Sequence, residues 1–275
     1  MAFSTLLACM RINRPNADLL AVVSDMAERF GSSVIGLVAK QASAPLYARG
    51  VGPFEPPEHD LQAFMEHASA AEAEFRGALT KIGTLEWRPQ LTIGPAYEQV
   101  ANEARSADLV IAPIDDQDLS FLASGQTRLG DLVLRLGRPV LAVPSGASGL
   151  ELNEVLVCWK DSREARRAVA DAMPILQSSR HVDVVEIVET NGVDESRRRL
   201  DRVGDWLARN GVEPRCSSEV STGAEARQLS AIARDLKADL IVAGAFGHSR
   251  LREWAFGGVT KELLLHADRC VLTSH

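Results

Sequence analysis

A chain of 275 residues, 46% hydrophobic and 24% charged, is longer than one ordinary domain requires and suits two of ~140 residues each. A formal net charge of −7 excludes a broadly basic surface, and with it nonspecific nucleic-acid binding. No apolar run approaches the ~18 residues of a membrane helix, and the opening MAFSTLL lacks the basic region of a signal peptide.

The four cysteines, Cys9, Cys158, Cys216 and Cys270, form no CxxC pair and lie in apolar or strand-like runs. They read as buried thiols of a reducing compartment, so a cytoplasmic protein with neither a membrane nor a nucleic-acid partner is expected.

In chain order, Phe3 to Met10 reads as a short apolar strand. Pro15 to Phe30 is helical, with Leu19, Leu20, Val22, Val23, Met26 and Ala27 on one broad face and Gly31 where a helix cap belongs. Ser33 to Val38 is a second strand. Residues 41–58 carry Pro45, Pro53, Pro56 and Pro57, which excludes regular structure and leaves a lid and a plain surface excursion both open. His59 to Ile82 is a long alanine-rich helix; His59 and His67 are spaced too widely for an i, i+4 metal pair. Glu86 to Ile93 is a strand, Tyr97 to Arg105 a helix, and Asp108 to Ala112 a strand. A helix ends over Gly130 to Leu136, and Pro139 to Val143 is the fifth strand.

Residues 144–149, PSGASG, have linker composition. The same order then restarts: strands at Val155 to Trp159, Val182 to Val188, Glu213 to Val220, Asp239 to Ala243 and Cys270 to Thr273. Helices separate them at Ser162 to Leu176, Glu195 to Arg209, Ala224 to Leu236 and Val259 to His266. ADLVIA at 107–112 matches ADLIVA at 238–243, and Arg138-Pro139-Val140-Leu141 matches Arg269-Cys270-Val271-Leu272 at the same offset. The chain is therefore a tandem repeat, with domains expected at 1–144 and 150–275. Alternating strands and helices give an α/β fold of two open, parallel five-stranded sheets with helices on both faces.

The copies differ after the fourth strand. In the second, residues 244–260 read GAFGHSRLREWAFGGVT, running from a strand end into a helix start. That is where open α/β sheets bind ligands, and where unpaired N–H groups and the helix dipole attract phosphate. Gly244, Gly247, Gly257 and Gly258 would let the backbone approach an anion closely and adopt positive φ. Amides of Gly247, His248, Gly258 and Val259 are the expected donors, with hydroxyls of Ser249 and Thr260. In the first copy the aligned positions are Pro113, Asp116, Gln126 and Thr127, and the added carboxylates would repel a polyphosphate.

The spacing Gly244-x2-Gly247-x9-Gly257 with a following small residue resembles the nucleotide loop of the universal stress protein family. The resemblance implies a tandem two-domain member with an adenine nucleotide α-hydrolase-like fold, a role in the stress response, and ATP or another adenine nucleotide as ligand. In ATP-binding members the residue after the last glycine is usually Ser or Thr; here it is Gly258. The family's first strand usually ends in Asp-Gly-Ser, its Asp contacting the nucleoside; here Lys160 takes that position. A backbone group near the end of the second strand reads adenine, which maps to Ile187. Family domains also pair through their last strands, so residues 138–143 and 269–273 imply an intramolecular pseudo-dimer. A homodimer and protein partners stay open.

No P-loop, GxGxxG, HExxH or GxSxG motif is present, and no Ser/His/Asp or Cys/His set suggests catalysis. No catalytic or metal-ligating residue is assigned; Mg2+ is expected only with a bound nucleotide. A nucleotide-binding regulator is the leading expectation. A nucleotide-free paired-domain scaffold and weak ATP hydrolysis are the alternatives.

Overall fold

The computed structural model describes residues 3–42, 58–114, 129–245, 258–265 and 267–275. They form two compact units. One comprises Phe3–Arg138 and Ser145–Gly149; the other comprises Pro139–Pro144 and Leu150–His275.

In the first unit, β1 (Thr5–Cys9), α1 (Ala17–Phe30), β2 (Ser33–Gln41), α2 (Glu58–Ala78), β3 (Leu85–Thr92), α3 (Ala96–Ala104), β4 (Leu109–Pro113) and α4 (Leu129–Leu136) follow in order. Its sheet order is β3-β2-β1-β4, with the β1–β2, β1–β4 and β2–β3 pairs parallel. α1 buries the face its periodicity predicts, Leu19, Leu20, Val22, Val23, Met26 and Ala27. It stops at Gly31, whose φ of 64° suits a residue without Cβ. The Pro-rich segment falls almost wholly at 43–57, outside the described residues.

The second unit holds β5 (Val140–Val143), β6 (Glu154–Trp159), α5 (Arg163–Asp171), α6 (Met173–Ser178), β7 (His181–Val188) and α7 (Val193–Arg209). β8 (Pro214–Val220), α8 (Glu225–Asp235), β9 (Leu240–Gly244), α9 (Gly258–Leu265) and β10 (Cys270–Ser274) complete it. The helix expected over Ser162 to Leu176 is two helices. Pro174, in the first turn of α6, has no N–H to continue the ladder of α5.

Within this unit the strand order is β5-β10-β9-β6-β7-β8. β10-β9-β6-β7-β8 is the expected parallel set of five. β5 departs from the all-parallel expectation: it runs antiparallel to β10, with Ala142 opposite Val271 and Leu141 opposite Leu272. Both strands are buried at every position, so β10 would otherwise offer an apolar edge with an unfilled ladder.

The repeated sequence blocks have structural jobs. Asp108 accepts from the Ser4 and Thr5 amides at 2.8 and 3.0 Å. Asp239 accepts in the same way from Asn153 and Glu154 at 2.6 and 3.0 Å. Each carboxylate ties the start of the fourth strand of its repeat to the start of the first. Arg269 donates to the Ala233 and Ala238 carbonyls.

The thiols depart in part from expectation. Cys9 and Cys270 are buried and Cys158 half-buried, but Cys216 is exposed on β8, an edge strand whose residues are mostly exposed. Burial pushes Cys158 and Cys270 up to about 12 and raises Cys9 further, which keeps these thiols protonated and unreactive. No helix among the described residues is long and apolar enough to cross a membrane.

Candidate functional site

The strand order sets β9, β6 and β7 side by side, so their C-terminal ends form one edge. Gly244 ends β9, Lys160 follows β6, and Ile187 is the penultimate residue of β7. The structure thus gathers three predicted site residues on neighbouring strands. Val259 and Gly258 belong to the first turn of α9, as does the backbone of Thr260. Gly247, His248, Ser249 and Gly257 lie outside the described residues, as do Asp116, Gln126 and Thr127 of the first repeat. Pro113 is buried at the end of β4.

The first turn of a helix has no acceptors of its own for its N–H groups. At α5 this need is met from within: the Ser162 hydroxyl accepts from the Ala165 amide at 3.2 Å, as an N-cap does. α9 begins at Gly258, so the amides of Gly258, Val259 and Thr260 fall in its first turn.

The register fixes which way the backbone of Ile187 faces. β6 and β7 pair up to Trp159 opposite Glu186. The Val188 carbonyl accepts from the Ser221 amide at 2.8 Å, so residue 188 bonds toward β8. Alternation along a parallel strand then turns the N–H and C=O of Ile187 toward β6, one step past its last paired residue. Ile187 and Val188 are half-buried there. Lys160 is exposed, forms no ion pair among the described residues, and accepts from the Ser162 amide through its carbonyl at 2.6 Å.

Gly244 is a correction. Its small size was assigned to anion approach and positive φ, yet it is not among the positive-φ glycines. A Cβ at this position would meet Ala165 N at 2.5 Å and Glu164 C at 2.6 Å. The backbone of α5 already occupies the space that the missing side chain leaves. Gly244 seats a helix against a strand end, which positions the edge of the site.

Two residues of this edge escaped the sequence reading. Thr273 and Ser274 pair with Ala243 and Gly244. Their hydroxyls are buried and lack a partner among the described residues. The only sequence signal was a pair of hydroxyls ending an otherwise apolar strand. Among the described residues no three His, Cys, Asp or Glu side chains are grouped to hold a metal ion.

Comparison with known proteins agrees with this edge-loaded α/β architecture. Residues 151–275 match the sequence profile of the universal stress protein family. The whole chain shares its fold with a universal stress protein from Archaeoglobus fulgidus at TM-score 0.74 and 13% identity, covering 98% of both chains. A functionally unknown protein from Pseudomonas aeruginosa PAO1 is similar at TM-score 0.62 and 15% identity, over 99% of this chain and 92% of the other. No curated protein matches at the level of sequence.

Proposed function

We propose that the second unit binds ATP or a related adenine nucleotide at the C-terminal edge of β9, β6 and β7, and that occupancy of this seat regulates the protein in the stress response. The observation that carries the reading is the first turn of α9, opened by Gly258 at the end of the glycine-rich segment. Its amides would bind phosphate with the help of the helix dipole. The backbone of Ile187, turned past the end of β6, supports an amide-type contact with the adenine edge. Exposed Lys160, without an ion pair among the described residues, would neutralise phosphate where the family's usual carboxylate would hold a ribose. Gly247, His248, Ser249 and Gly257 would complete the cradle, and Mg2+ would enter only with a triphosphate.

A titration of fluorescent ATP against the intact chain and Gly247→Asp tests this. Saturable binding that weakens at least tenfold in the variant is expected, since the new carboxylate both fills and repels. No binding at millimolar ATP, or equal binding by both proteins, overturns the proposal.

A further inference from the structure

The second unit carries a groove that the nucleotide reading does not use. It lies between α5 and α7, has a volume of about 440 Å³, and is lined by Trp159, Trp206 and Val203 together with Arg166, Arg199 and Arg202. Asp161 is the one carboxylate among its lining residues. It is held by Arg166 at 2.5 Å.

The chemistry of this lining is lopsided. Arg199 is committed to Glu186 and Glu195. Arg202 is exposed and forms no ion pair among the described residues. Two N–H groups of the lining, Trp159 Nε1 and Arg199 Nε, are buried with no acceptor among the described residues. Trp159 is only 8% exposed, whereas Trp206 is 37% exposed, a large indole left in water at the groove's rim. The groove's one carboxylate is paired with Arg166, and what it offers beside that pair is ring faces and a guanidinium without an ion pair among the described residues.

The first repeat supplies a contrast. The groove between its first two helices, α1 and α2, is lined by Ala17, Ala21 and Ala78 with Asp25, Glu28 and Glu74. It has no tryptophan or arginine; its one cation, Lys81, lies 3.7 Å from Glu28, and three carboxylates against one lysine would repel an anion. The tryptophan and arginine set is thus particular to the second unit rather than a consequence of packing two helices on a sheet.

We propose that the α5–α7 groove binds a small aromatic anion, a ring carrying a carboxylate or sulfonate. The ring lies against the indole of Trp206, with Val203 and Trp159 beneath, and the acid pairs with Arg202. None of the lining residues is among those assigned to the nucleotide, so its ligand need not be the nucleotide.

Calorimetric titration of the intact chain with naphthalene-1-sulfonate tests the proposal. One saturable site is expected, weakened at least tenfold by Arg202→Glu and by Trp206→Ala. Both residues are exposed, so both variants should keep the thermal midpoint of the parent. The neutral analogue 1-naphthalenemethanol should bind at least tenfold more weakly, and Gly247→Asp should leave sulfonate binding intact while it weakens ATP binding. Absence of saturable binding at millimolar sulfonate, survival of binding in both groove variants, or equal affinity for the neutral analogue would each overturn the assignment.

Discussion

Gly244 shows how a residue can be legible while its reason is not. Its place at the end of an apolar strand, ahead of a glycine-rich segment, made a ligand-facing role the natural inference. The atom that in fact excludes a side chain belongs to α5, some eighty residues earlier in the chain, and no local pattern announces it. The distinction is measurable. In Gly244→Ala the new Cβ cannot be relieved by turning a flexible side chain, because its neighbours at 2.5 and 2.6 Å are backbone atoms of Ala165 and Glu164. The ligand-free protein should lose about 1–3 kcal/mol in denaturant unfolding. A glycine needed only for anion approach would leave that stability unchanged and alter nucleotide affinity alone. Asp108 and Asp239 make the complementary case: sequence comparison found them as a matched pair, and each performs the same strand-to-strand clamp.

At the level of elements, the helices followed from periodicity because each buries one face, and most strands from short apolar runs because they are buried on both. What periodicity omits is the charge that strands carry at their ends. Glu154 opens β6, Asp183 lies on β7 and Arg215 on β8, and Arg215 pairs with both carboxylates. The Arg215–Asp183 contact is 2.5 Å. Desolvation, then a hydrogen bond with Asp183, raises Glu154 above its ordinary 4.5, against the opposing pull of Arg215. A raised folded-state value means that the fold holds this proton more tightly than the unfolded chain does. Its contribution to stability is complete below the ordinary carboxylate range and is lost as pH climbs through the raised value. Glu154→Gln removes the charge and keeps the shape. Its thermal midpoint should exceed that of the parent at pH 7, and the difference should vanish at pH 4. A midpoint lowered at pH 7 would mean that the bond to Arg215 outweighs the desolvation of Glu154.

For the molecule as a whole, the tandem repeat was readable because two distant blocks align at one offset, a property of sequence alone. Where a repeat ends as a physical body is a different question, decided by which backbone completes which ladder. By sequence, β5 closes the first copy; by contacts, Pro139–Pro144 groups with the second unit, through the antiparallel pair of β5 with β10. Four consecutive buried residues in β5 and five in β10 make that pairing part of a core. The prediction concerns where the chain can be cut. A fragment of residues 139–275 carries β5, keeps the β10 ladder filled, and should unfold at a higher denaturant concentration than a fragment without β5. A fragment of residues 150–275 matches the repeat boundary but leaves the β10 edge bare, and it should self-associate by pairing that edge with another copy. If the shorter fragment is monomeric and as resistant to denaturant as the longer one, β5 adds nothing to the second unit's core, and the sequence boundary is also the physical one.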